Sequence, residues 1–415
     1  MKRTIMTCAL LTLTVLILSG TTHAAALRVG VAAATVNPDN GTYLCGYGHN
    51  RKSTGIHDNL YAKAIVFDDG KTPVALLVID ATSLQYPTVQ AIRKAASAQV
   101  DSLDLPPQRI VPQATHTHCA PDTIGIYGPD EATTGLDGAY MERLVRVAAE
   151  TVAQAATNLR PATLAYAETE CVGWAVNDSE PEILDNSVTI LQCLDETGQS
   201  MATLTHFACH PTVLDGDTTL TGADWVGYFY QRMSEALPGQ HLFLQGGIGA
   251  WIQPIAPQRT FEQAEEYGND LAQKTLTALS DTKPLEGTPI RFANKVLQLP
   301  QHNDGFRQMA AAGLMKRDFG EVSVETEVAW FALGNAQFAT HPAESAPMFT
   351  FETEKLMDTE PKFVLGLGLD HLGYFCPPRY FDDPERIPHA AYLVRMSPGK
   401  DAGPAMMAAL ATIIP

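Results

Sequence analysis

Arg109-Ile110-Val111-Pro112-Gln113-Ala114-Thr115-His116-Thr117-His118-Cys119-Ala120-Pro121-Asp122 joins a short apolar run to a turn through two histidines two residues apart. The run predicts a β-strand over 110–114, and Pro121-Asp122 marks the loop that follows. On a strand, side chains alternate faces with period two, so both imidazoles leave on one side. Paired ring nitrogens at a strand end suit a metal ligand with a second histidine beside it. Taken alone, the pair is equally compatible with a half-buried structural histidine pair.

Working outward, the same punctuation recurs. Apolar, β-branched runs lie at 61–67, 74–79, 188–191, 202–209, 242–244, 328–333 and 363–367. Stretches of helical period lie among them at 88–100, 140–159, 225–236, 261–279, 345–357 and 404–413. Strands interleaved with helices predict an α/β fold with a mixed β-sheet core flanked by helices. Residues 162–194 read as consecutive strands with no helix between them, which predicts some antiparallel pairing. No low-complexity linker, charge block or internal repeat breaks the chain, so one domain over 25–415 is expected.

Residues 1–24 read differently. Lys2 and Arg3 precede an apolar run from Leu10 to Leu18, and Thr22-His23-Ala24 supplies small residues at cleavage offsets. This predicts a secretory signal peptide and a periplasmic or secreted protein. No later segment is long and apolar enough for stable membrane insertion. The formal charge is -18, or -20 without Lys2 and Arg3. Such a field repels nucleic acid and anionic lipid surfaces and argues against both as partners. Cys45, Cys119, Cys171, Cys193, Cys209 and Cys376 remain beyond Cys8 in the signal. An exported compartment permits disulfides, yet the wide spacing is as compatible with buried thiols.

Further polar side chains gather where apolar runs end. In His206-Phe207-Ala208-Cys209-His210-Pro211-Thr212, His206 reads as a core histidine. His210 falls at a strand-to-loop corner made by Pro211. Phe338-Ala339-Thr340-His341-Pro342-Ala343-Glu344-Ser345 ends a run and opens a helix, which places Glu344 in the first turn. Gly366-Leu367-Gly368-Leu369-Asp370-His371-Leu372-Gly373-Tyr374-Phe375-Cys376 puts Tyr374 in a glycine-rich loop.

Together these segments resemble the neutral/alkaline, non-lysosomal ceramidase family, in the form of its catalytic domain alone. The resemblance runs in order through Ile56-His57-Asp58-Asn59-Leu60-Tyr61-Ala62-Lys63-Ala64, Val78-Ile79-Asp80, Thr115-His116-Thr117-His118, Cys209-His210-Pro211-Thr212, Phe243-Leu244-Gln245-Gly246, Pro342-Ala343-Glu344 and Leu372-Gly373-Tyr374. It implies a zinc amidase with one Zn²⁺ per chain, held by His116, His210, Glu344 and Tyr374. It places His118 beside the metal as a proton donor to the leaving group, and Tyr392 in the active-site region. Imidazoles, a carboxylate and a phenol are ligands zinc accepts. The implied partner is a small-molecule or lipid amide, ceramide-like or N-acylated.

Two departures bear on the substrate. The family's Gly-Asp-x-Ser/Asn-Pro segment has become Gly247-Ile248-Gly249-Ala250-Trp251-Ile252-Gln253-Pro254, without a serine or an acid. The arginine expected after Asn177 is Asp178. Three readings follow: a zinc-dependent hydrolase of a non-peptide amide, a zinc esterase or lactonase on the same site, or a binding relative that has lost activity. Ile124, Ile126, Tyr127, Trp251 and Ile252 are candidates for an apolar substrate wall.

Overall fold

Every position of the strand Val74–Ile79 is buried. It lies between Tyr61–Asp68, its antiparallel neighbour, and Ile110–Ala114, its parallel one. A strand paired on both edges and covered on both faces must be apolar throughout, which is why this run does not alternate. Arg28–Thr35 and Arg160–Pro161 complete a five-stranded sheet. Helices Tyr86–Ser97 and Gly138–Thr157 pack together, and the second covers Arg28–Thr35 and Tyr61–Asp68. Asp137 starts that helix by accepting from the Tyr140 N–H, satisfying a donor that has no partner within the helix. The structure is a computed structural model and describes residues 27–415. The signal-peptide expectation for 1–24 lies outside the described residues.

A second five-stranded sheet orders Gln240–Gln245, Ser200–Phe207, Ser187–Leu194, Thr163–Glu170 and Lys283–Leu285. Thr163–Glu170 and Ser187–Leu194 pair antiparallel, as the helix-free stretch predicts. Helices Trp225–Ala236 and Phe261–Ala278 pack on each other and on this sheet. The third sheet orders Ile290–Pro300, Ser323–Leu333, Ala336–His341 and Lys362–Gly366. The fold is thus mixed α/β, with parallel and antiparallel pairs in all three sheets. Among the described residues no helix is long and apolar enough to cross a membrane.

Gln240–Gln245 touches strands of all three sheets. Each sheet contributes one parallel pair, and the three pairs end together: Ile110–Ala114, Ser200–Phe207 with Gln240–Gln245, and Ala336–His341 with Lys362–Gly366. Parallel strands leave their carboxyl ends at one side, where loops can enclose a crevice. Two buried glutamines hold those ends. The Gln113 amide donates to Gln245 O at 2.7 Å and to Gly366 O at 2.8 Å. The Gln245 amide donates to Thr115 O and Cys209 O, both at 2.9 Å.

The apolar core divides at the third sheet. One cluster fills the first two sheets with their helices and takes in one face of the third, through Phe331, Phe338, Phe363 and Leu365; the other covers the opposite face of that sheet with helices Pro347–Leu356 and Ala402–Leu410 and the loops after 370. The six cysteines of the described residues are buried free thiols, so the disulfide alternative is not realised among them. The strand and helix spans match their expectations closely. Three short helices, Asp304–Ala311, Arg379–Asp382 and Ala390–Arg395, were not foreseen.

Candidate metal centre and active site

His116 does not sit on a strand. The strand ends at Ala114, and His116 has φ 73°, a left-handed conformation that costs about 1 kcal/mol or more outside glycine. The period-two argument therefore gives the right neighbours for the wrong reason. The chain turns sharply at His116, and the two rings meet with their Nε2 atoms 3.2 Å apart. His116 Nδ1 donates to Thr82 O at 2.6 Å, and its N–H to Ala81 O at 2.8 Å. A carbonyl can only accept, so Nδ1 carries a proton and, in the neutral ring, Nε2 presents a lone pair.

His210 repeats the device from another sheet. It follows the strand Ser200–Phe207 by three residues, and its Nδ1 donates to Ile252 O. Its Nε2 lies 3.2 Å from Glu344 Oε2, and His116 Nε2 lies 3.5 Å from the same oxygen. His206, by contrast, is buried in the core with Nε2 against Val364 O at 2.9 Å, as expected.

Glu344 corrects a second expectation. It precedes the helix Pro347–Leu356 and belongs to a two-residue strand, Glu344–Ser345, paired parallel with Tyr374–Phe375. Pro347 starts the helix too late to include it. Register 344↔374 sets the carboxylate beside the Tyr374 phenol. The other oxygen, Oε1, meets His371 Nε2 at 3.3 Å. His371 was missed by the sequence reading: a lone histidine in a glycine-rich loop gives no spacing signal. Asp370 fixes that loop through Arg317 (2.7 and 2.9 Å), Thr326 Oγ1 (2.7 Å) and the Tyr86 and His371 N–H groups (2.8 and 2.7 Å).

Burial would raise the Glu344 carboxyl, but the neighbouring His116, His210 and His371 hold it well below the usual carboxylate range. Burial lowers both His118 and His210; the two other imidazoles push His118 down further, whereas Glu344 partly restores His210. Burial and the Glu344 charge push the Tyr374 phenol well above its ordinary value.

The ring nitrogens of His116, His118 and His210 lie within 4.8 Å of one another, a group that could hold a metal ion. The edges among His116, His210 and Glu344 that reach the carboxylate are 3.2 and 3.5 Å. Ligands about 2.0–2.1 Å from a tetrahedral metal ion stand roughly 3.3–3.4 Å apart, so these two edges have the spacing of ligands that share one ion. Tyr374, Tyr392, His371 and Gln253 line the same cavity. Tyr392 lies on the short helix Ala390–Arg395, its ring 6.0 Å from that of Tyr374 and 5.1 Å from that of Trp251. Ile124, Tyr127 and Trp251 are also cavity walls. Ile126 lines an adjoining apolar cleft, and Ile252 is buried in the core instead.

A crevice at the carboxyl ends of parallel strands, lined by three histidines and a buried carboxylate, is a site able to take a metal. The sequence of residues 27–241 matches the family described as "Neutral/alkaline non-lysosomal ceramidase, N-terminal". That is more than half of the chain, and the chain belongs to this family. The matched residues include His116, His118 and His210, while Glu344, His371 and Tyr374 lie beyond them. The fold is similar to that of neutral ceramidase from Pseudomonas aeruginosa, with a TM-score of 0.78 and 15% identity over 94% of this chain and 74% of that one. It is also similar to a structure described as ceramidase complexed with C2, with a TM-score of 0.76 and 14% identity over 94% and 75% of the two chains.

Proposed function

We propose that this protein is an exported, zinc-dependent hydrolase that cleaves a non-peptide amide of the N-acyl, ceramide-like class. One observation carries the metal. His116 and His210 each spend Nδ1 on a backbone carbonyl, so each turns an Nε2 lone pair toward Glu344 Oε2, at 3.5 and 3.2 Å. Lone pairs and a carboxylate oxygen repel at that distance unless a proton or a metal ion lies among them, and a metal ion can meet all three at once. His116, His210 and Glu344 would hold it, with Tyr374 at the remaining protein position.

Zinc bound there would polarise the scissile carbonyl and lower the pKa of water toward neutrality. The rest is the work of the chain. Thr82 O and Ile252 O lock the imidazoles in one tautomer. His118 borders the cavity with its Nδ1 free of protein partners. It relays a proton to the leaving nitrogen, which departs poorly as an anion. Tyr392 lines the same cavity and orients the carbonyl by a hydrogen bond.

The test is elemental analysis of purified protein with a matched panel of acyl amides and esters. About one zinc per chain is expected, lost together with amide hydrolysis in His116→Ala and His210→Ala. Protein that binds no zinc, or those variants with full activity, would sink the enzyme reading. Turnover of esters alone would replace the amidase by an esterase.

A further inference from the structure

The cavity at the metal centre has two exits of opposite character. One leads into an apolar cleft walled by Phe306, Met309, Met315, Phe319 and Met396, narrow at about 40 Å³. The other opens into a more polar pocket of about 360 Å³, where Val176 and Pro254 stand beside Asp178, Thr212, Gln253 and Arg259. The metal-centre cavity shares Glu344, Tyr374 and Tyr392 with the first, and His118, Trp251 and Gln253 with the second. The two exits have no lining residue in common, so the reacting carbonyl lies between them.

An amide with two long apolar arms finds an apolar path in only one direction. The polar pocket assigns the other arm. Arg259 is exposed at its rim, and its guanidinium donates to Thr212 O at 3.0 Å while making no ion pair among the described residues. Its base is fixed, with φ 55° and its N–H donating to Gln263 Oε1 at 3.1 Å. Asp178 supplies an anion on the same wall, anchored by its N–H to Trp251 O at 3.2 Å and not paired with Arg259. An uncompensated cation in a chain of net charge -18 is a recognition feature more than a stabilising one.

We propose that the substrate is an N-acyl amino acid: one acyl arm in the apolar cleft and one short polar arm whose carboxylate Arg259 binds. The inference rests on the amide-hydrolase reading above and specifies its substrate. His118 faces the polar exit and not the apolar one, which puts the amine, the group needing a proton, on the Arg259 side. Hydrolysis forms an acyl C–O bond from water and breaks the C–N bond. The acid leaves as a carboxylate and both water protons end on the amine. The released amino acid then carries one charge of each sign, matching Arg259 and Asp178.

The experiment compares N-butyrylglycine, N-butyrylethanolamine and a short-chain ceramide as substrates of the zinc-loaded protein, reading kcat and KM separately. Expected is a kcat/KM for the glycine conjugate at least about tenfold above the neutral ethanolamide, the size of one charge-assisted hydrogen bond. Arg259→Glu should collapse that ratio through KM, and Arg259→Lys should restore most of it. A preference for ceramide or the ethanolamide, or a ratio unmoved by Arg259→Glu, overturns the substrate and leaves the amidase standing. Failure to hydrolyse any of the three amides overturns both.

Discussion

Replacing Asp370 by Asn asks whether charge holds the loop that carries His371 and Tyr374. Asp370 is fully buried and accepts from Arg317 Nη1 and Nη2, Thr326 Oγ1 and two backbone N–H groups, at 2.7 to 2.9 Å. An amide of the same shape keeps one acceptor and turns a donor toward an Arg317 N–H in either orientation, and only the Thr326 hydroxyl among the partners could turn to accept it. It also leaves the Arg317 side chain, 3% exposed, facing no anion, with the carbonyl of Glu325 at 2.8 Å. Removing one member of a buried ion pair costs about 3–5 kcal/mol, and Asp370→Asn belongs at the upper end. Arg317→Met belongs at the lower end, because Thr326 Oγ1 and both N–H groups still satisfy the carboxylate. The double variant leaves no unpaired charge and should cost less than the sum of the singles by roughly 1–3 kcal/mol. Against a total stability of about 5–15 kcal/mol these are large shifts. Urea unfolding followed by tryptophan fluorescence measures them, run with saturating zinc and again with chelator to separate metal linkage. An Asp370→Asn midpoint equal to wild type, or strictly additive single variants, would refute the reasoning.

Three more outcomes follow from the site and its surroundings. A Cβ on Gly46, which has φ +98°, would run into the His118 ring; Gly46→Ala should cut kcat by about a hundredfold through misplacement alone, with zinc content unchanged. Retention of kcat would show that the position of His118 does not matter. His371→Phe removes the partner of Glu344 Oε1; zinc affinity, read by competition with a chromophoric chelator, should fall about tenfold or more, and an unchanged affinity would make that contact incidental. Burial lowers His241 to about 4. Its neutral form therefore contributes fully above pH 6.5, and that contribution is lost as pH falls toward 4, at about 1.4 kcal/mol per unit. Asp80 and Asp224, pushed up by burial to about 6 and 7, act in the opposite sense. The difference between wild type and His241→Gln is therefore the readout, and parallel pH–stability curves would disprove it.

What the sequence made legible follows from which forces are local. The run Val74–Ile79 announces a strand buried on both faces because apolar continuity is itself the requirement. His210 is legible because Pro211 must end its element. The neighbourhood of His116 and His118 is legible, but its cause is not: the turn depends on φ 73° at His116, held by carbonyls from residues 81 and 82. Glu344 was found yet placed in a helix, since a two-residue parallel ladder with Tyr374 leaves no periodicity to read. His371 and Arg259 were missed for the same reason. Each acquires its role from partners far away in the chain, on loops with left-handed residues at Leu367, Leu369 and Gly373, or at Arg259 itself.

The meeting of three sheets at the crevice has a consequence for how the molecule responds to distant change. His116 and His210 follow strands of the first two sheets, while Glu344, His371 and Tyr374 follow strands of the third. An ion gripped from both sides would be a measure of how tightly the third sheet closes on the other two. Linkage is reciprocal: whatever closes the sheets tightens the grip, and whatever tightens the grip closes the sheets. A substitution far from the crevice that parts the third sheet slightly from the others would therefore appear first as weaker metal retention, before any loss of secondary structure.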